Sequence, residues 1–204
     1  MISDFGGVLT SPLMQAFNLV QDDLDVPVEA YGKAMSHSLE RDGVHPLFAL
    51  ERGEITEAEF LARLERGLAA TLGREVHLHG FGARLMEALE PNQELFDRYA
   101  ELRRRPGLRF ALCTNNVREW EPLWRPKLPI DDVFEVVVDS AFVGARKPEP
   151  EIYAITLERL GLPAAACAFV DDVAVNVDAA REAGMAGIVY RDTAQAIAEL
   201  EALL

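Results

Sequence analysis

Beyond about Glu94 the chain repeats one pattern: a short unbroken apolar run, a polar residue at its end, and an amphipathic stretch at helical spacing. The runs fall at 109–114, 134–139, 166–171 and 187–190. Helical stretches lie at 94–105, 150–160 and 175–183, the last two stopped by Gly161 and Gly184. A strand that alternates polar and apolar residues needs cover on one face, whereas a continuous apolar run needs it on both. Parallel strands joined by crossover helices meet that demand, so the pattern predicts a doubly wound α/β core of about five parallel strands.

The first strand of such a sheet has to come from Met1-Ile2-Ser3-Asp4, which runs at once into Gly6-Gly7. That is shorter than a usual strand, and a few upstream strand residues are expected to be missing from the chain. Between it and the repeating pattern, residues 11–91 read as helices, at about 13–20, 28–40 and 81–90. In a further one, Phe60, Leu61, Leu64 and Leu68 share a face behind a capping box of Thr56 and Glu59. The expected organisation is therefore an α/β core made of 1–10 and 92–204, with a helical cap, 11–91, inserted after strand one. A length of 204 residues, half of them hydrophobic, suits one core and one insertion.

A net charge of −14 argues against a nucleic-acid partner. The densest basic run, Arg103-Arg104-Arg105, sits where a helix should end and where cations suit the helix dipole. Cys113 and Cys167 each lie inside an apolar run and read as buried free thiols in a reducing cytoplasm. No run is long enough to span a membrane, and no basic flank and apolar core of a signal peptide opens the chain. No sequence feature sets an oligomeric state.

In an open parallel sheet, ligands bind beyond the carboxyl ends of the strands. Polar residues collect at four such places. Asp4 ends the first run and Thr114-Asn115-Asn116 the second, Lys147-Pro148 lies in the loop after the third, and Asp171-Asp172 ends the fourth with Asn176 just beyond. Adjacent acids at a strand end repel one another unless a cation relieves them.

This order of residues resembles the haloacid dehalogenase superfamily of hydrolases. The stretches Asp4-Phe5-Gly6-Gly7-Val8-Leu9-Thr10, Arg146-Lys147-Pro148-Glu149-Pro150 and Phe169-Val170-Asp171-Asp172 are similar to the subgroup containing the N-terminal phosphatase domain of soluble epoxide hydrolase. The resemblance implies a Rossmann-like core with a helical cap and hydrolysis of a small phosphorylated metabolite. Asp4 would attack phosphorus to give an aspartyl phosphate. Asp4, the Gly6 carbonyl and Asp172 would ligate Mg²⁺, Lys147 would neutralise the nucleophile, and Thr114 with the Asn115 amide would hold the phosphate. Asp171 and Asn176 would orient metal-bound water and Lys147.

One position departs from that pattern. Phosphatases of the superfamily usually carry an aspartate two residues after the nucleophile, as proton donor to the leaving oxygen; this chain has Gly6. Loss of such a group costs about 10²- to 10⁴-fold. His37, Arg41, His45 and Glu54 in the cap are candidate replacements. Two alternatives stay open: a metal-independent 2-haloacid dehalogenase, and a catalytically impaired phosphate-binding or scaffold protein. His77 and His79 lack a third ligand and read as an exposed linker, and Trp120 and Trp124 as core or cap contacts.

Overall fold

The structure, a computed structural model, describes residues 1–22 and 24–204. Among these, β1 (Ile2–Ser3), β2 (Ala111–Thr114), β3 (Val136–Asp139), β4 (Ala168–Asp171) and β5 (Ala186–Val189) form one parallel sheet in the order β3-β2-β1-β4-β5. The apolar runs alternate between its faces. Phe110 and Leu112 pack on one side with Leu95, Phe96 and Tyr99, while Ala111 and Cys113 pack on the other with Ile152 and Tyr153. Both faces are covered, which is why these strands carry no polar alternation.

The covering helices include α6 (Gln93–Arg103), α10 (Pro150–Leu160), α11 (Ala174–Glu182) and α12 (Thr193–Glu201), with short turns α7 (Glu121–Trp124), α8 (Ile130–Val133) and α9 (Ser140–Val143) between β2 and α10. The α6 helix stops at Arg103, leaving Arg104 and Arg105 exposed. Both cysteines are buried and free. No helix among the described residues is long and apolar enough to cross a membrane.

Between β1 and β2 the chain makes only helices: α1 (Leu13–Asp22), α2 (Val28–Asp42), α3 (Pro46–Glu51), α4 (Glu57–Leu72) and α5 (Phe81–Ala88). The α4 helix opens as its sequence predicts. The Glu59 amide donates to the Thr56 hydroxyl at 3.2 Å, and the Thr56 amide donates to the Glu59 carboxylate at 2.8 Å. His77 and His79 lie in the loop that follows and form no strand. The outgoing and returning chains touch as they cross: Ser11 donates to the Glu90 carbonyl at 2.7 Å and Asn92 to that of Leu9 at 2.8 Å.

The sheet order reverses between β1 and β4. Strands added after β1 run outward through β2 to β3, and the chain then returns to the other side of β1 for β4 and β5. The crevice at this reversal, outside the carboxyl ends of β1 and β4, is where an open α/β sheet receives a ligand.

Candidate active site

Asp4 leaves β1 at that crevice, its amide still bonded to the Val170 carbonyl of β4 at 2.8 Å. Asp171 closes β4 beside it. Lys147 arrives from the loop before α10 and joins the two, its ammonium 2.7 Å from Asp4 Oδ1 and 2.6 Å from Asp171 Oδ2. Only 1% of Lys147 is exposed. Burial disfavours its charge, but the Asp171 and Asp4 carboxylates outweigh that and hold the amine protonated above its usual range.

Each member of this cluster is positioned by a further polar contact. Asn176 donates through Nδ2 to both oxygens of Asp171, at 3.0 and 3.2 Å, and the Val173 amide donates to Oδ1 at 2.8 Å. Asn176 itself is fixed through its carbonyl, which accepts from the Tyr153 hydroxyl at 2.8 Å. Asn115 brackets the Lys147 backbone, donating to its carbonyl at 2.9 Å and accepting from its amide at 2.7 Å. The sequence assigned Asn115 a role through its main chain; the structure adds this side-chain clamp. Thr114 is buried at the end of β2, on the same crevice.

Asp172 completes an acidic trio. One oxygen from each of Asp4, Asp171 and Asp172 lies within 4.8 Å of the others. Gly7 makes this approach possible: its φ is +78°, and a Cβ there would lie 2.3 Å from Asp172 Oδ2. Burial pushes the Asp4 carboxyl up; Lys147 pulls it back, while Asp171 and Asp172 push it further. Asp172, exposed at the rim, is also raised, by desolvation and then by Asp171. Three carboxylates facing one ammonium would, when all are ionised, leave two negative charges uncompensated. A divalent cation with a preference for hard oxygen ligands fits that deficit.

Above the cluster lies a cavity of about 410 Å³ between the sheet edge and the helices of 13–89. Its floor is Phe5, Gly6, Thr114 and Asn115; its walls include Phe17, Met35, Phe60, Leu64, Phe81, Leu85 and Trp120. Trp120 thus belongs to this wall, whereas Trp124 is fully buried against Phe5, ring centroids 4.9 Å apart. A Cβ built at Gly6 meets nothing within 4 Å, so the place of a proton donor stands open.

The four cap residues considered as substitutes do not line the cavity. His37 and Arg41 are exposed, Arg41 being paired with Asp42. His45 stacks on Phe48 and Glu54 lies on the surface near Arg52. The carboxylate that does reach it is Glu51, which sequence reasoning missed.

A family model for haloacid dehalogenase-like hydrolases matches residues 1–184. The chain is 28% identical to rat (Rattus norvegicus) bifunctional epoxide hydrolase 2 over 170 residues, which cover 76% of this chain and 30% of that protein. It is 30% identical to flavin mononucleotide hydrolase 1 of Arabidopsis thaliana over 172 residues, covering 82% of this chain and 65% of that one. A HAD family enzyme from Bacteroides thetaiotaomicron, BT-2542, superposes with a TM-score of 0.67 at 25% identity, covering 93% of this chain and 92% of the other. That enzyme has also been crystallised with magnesium and inorganic phosphate. The chain spans less than a third of the rat protein, so the comparison concerns one part of it. With nine-tenths of its length matched by the family model, and a sheet, crevice and carboxylate cluster in keeping with it, the chain belongs to the haloacid dehalogenase-like hydrolases.

Proposed function

We propose that this hydrolase is a magnesium-dependent phosphatase acting on a phosphate monoester whose organic part is largely apolar, with residues 11–91 serving as its cap. The observation that carries the reading is the buried Asp4–Lys147–Asp171 cluster beside Asp172, adjoining through Phe5, Gly6 and Asn115 a cavity walled by aliphatic and aromatic side chains. Phosphatase relatives and the magnesium and phosphate complexes of the Bacteroides thetaiotaomicron enzyme agree with it.

Asp4, the Gly6 carbonyl and Asp172 would hold Mg²⁺, which supplies charge neutralisation for the phosphoryl oxygens and the attacking carboxylate. The chain does the rest. Asp4 attacks phosphorus and becomes the aspartyl phosphate, which water then hydrolyses. Lys147, fixed by Asp171 and Asn115, sets its ammonium on the nucleophile and on the charge that gathers on the transferring group. Thr114 and the Asn115 amide hold the phosphate. The cap walls exclude water and seat the organic group. Displacement at carbon would need no cation and would leave the Asp172 carboxylate beside Asp4 as plain repulsion.

The test is hydrolysis of p-nitrophenyl phosphate with and without Mg²⁺, beside Asp4→Asn. Nitrophenolate leaves without a proton, so the open position at Gly6 does not obstruct it. Turnover that needs Mg²⁺ and falls about 10⁴-fold or more in Asp4→Asn is expected. A folded wild type inactive under both conditions would overturn the reading.

A further inference from the structure

We propose that Glu51, reaching down from the helical segment, is the general acid and base of this site, working in the space that Gly6 leaves open. The inference rests on the phosphatase reading above. Glu51 is the one carboxylate among the described residues lining the cavity, which it shares with Gly6, Thr114 and Asn115. The neighbouring acidic cluster has none to offer, since Asp4 and Asp171 are engaged by Lys147 and Asp172 is assigned to the cation.

Glu51 is held in place from two sides. It ends α3, and its Oε2 accepts from Arg146 Nε at 2.5 Å; the Arg146 guanidinium in turn lies 3.9 Å from the centre of the Phe48 ring. The next residue, Arg52, pairs with Glu149 at 2.5 Å. Two ion pairs of opposite sense thus tie the end of α3 to the loop that carries Lys147. Burial pushes the Glu51 carboxyl above its usual range, and Arg146, Lys147 and Arg52 pull it back only in part. Burial thus favours the protonated form, the one a donor to a leaving oxygen needs.

In the first step the Asp4 oxygen–phosphorus bond forms and the phosphorus–ester oxygen bond breaks. The Glu51 proton passes to the departing alkoxide, giving the alcohol. In the second step the Glu51 carboxylate takes a proton from water as that water attacks phosphorus. The phosphorus–Asp4 bond breaks, releasing inorganic phosphate and restoring both residues. The sum is one ester and one water giving one alcohol and one phosphate.

The leaving group provides the experiment. An alkoxide needs a proton and a nitrophenolate does not, so n-octyl phosphate and p-nitrophenyl phosphate should separate the role of Glu51. In Glu51→Gln, the single-turnover rate of the first step is expected to fall about 10²- to 10⁴-fold for octyl phosphate and only a few-fold for p-nitrophenyl phosphate, while the second step, common to both esters, slows for both as its base is lost. Adding Gly6→Asp to that variant should recover at least tenfold on the alkyl ester. An equal loss on both esters in that first step, matched by Arg146→Met, would mean that Glu51 only anchors the Lys147 loop, and would overturn the proposal. So would unchanged octyl phosphate turnover. If Glu51→Gln does not fold, Gly6→Asp alone decides: a gain under about threefold on octyl phosphate fits an acid already present, and a gain of about 10²-fold or more means none was. A wild type that fails on p-nitrophenyl phosphate removes the phosphatase reading and this proposal with it.

Discussion

At the sheet edge, Lys147, Asp171 and Asn176 are almost sealed from solvent and satisfy one another's polar atoms; across the cleft, the helices of 13–89 present Phe17, Leu64, Phe81 and Leu85 with Glu51 as the one acid among the described residues of the lining. One wall is a fixed array of charges, each held within about 3 Å of its partner, and such an array is precise because moving any member strands another in a low-dielectric site. The other wall is bound by packing, which is tolerant of exchange among apolar residues of similar volume. The difference sets a wall that resists exchange against one that tolerates it, with Glu51 as the charged exception on the second. It also says which substitutions should be ruinous and which merely selective.

The severest way to break the contrast is Lys147→Met. Two buried carboxylates lose their counter-charge, so p-nitrophenyl phosphate turnover should fall about 10³-fold or more and stability at pH 8 should fall by about 3–5 kcal/mol, read from urea midpoints.

Asp139 sharpens the contrast from the same sheet edge. It ends β3 as Asp171 ends β4, and its Oδ1 accepts from the Ala141 amide at 3.0 Å, but its buried Oδ2 has no partner. Burial pushes this carboxyl up to about 6. Because the folded value lies above the unfolded one, the protonated side chain favours folding fully below about pH 4, and this contribution is lost as pH rises through 6. Asp139→Asn, which retains an oxygen for the Ala141 amide, should therefore gain about 2–3 kcal/mol over wild type at pH 8 and little at pH 4; an equal gain at both would refute the assignment.

Asn176→Ala probes the array more gently. Lys147 keeps both its carboxylates, but Asp171 loses one of the donors that orient it, and kcat should drop about 10- to 100-fold. On the apolar wall, Gly32 is exposed at the cavity within α2, and a Cβ there meets nothing within 4 Å. Gly32→Ala should raise stability by about 1 kcal/mol through helix propensity alone, seen as a higher Tm with unchanged turnover of p-nitrophenyl phosphate.

The charged wall was legible because its residues sit where apolar runs end, and chain order then names the strand each one follows. Asp4, Thr114, Lys147 and Asp171-Asp172 were found this way. Distances were not legible: nothing in the order of residues says that Lys147 bridges Asp4 and Asp171, or that the Asn115 side chain clamps the lysine from both sides of its peptide. The apolar wall was legible only as helices. Leu64 and Phe17 carry the same periodicity whether they face a core or a cavity. Glu51 escaped because Glu51-Arg52-Gly53-Glu54 reads as a solvated charge run at the end of a six-residue helix. Its signal is the mirrored pair Arg146 and Glu149, nearly a hundred residues away, and only the fold brings them together. The nine-residue α12 went unread although Asp192 caps its start and Ala196 and Leu200 are buried one turn apart.

The chain departs from the sheet near Thr10 and comes back at Pro91, where the two residues form an antiparallel bridge. Because exit and entrance are a single doorway, the stretch between them can be lengthened or shortened without moving a strand or a register, provided that the end of α3 keeps Glu51 and Arg52 on Arg146 and Glu149. Selection can therefore remodel the outlying helices while the sheet that carries Asp4 and Asp171 stays as it is.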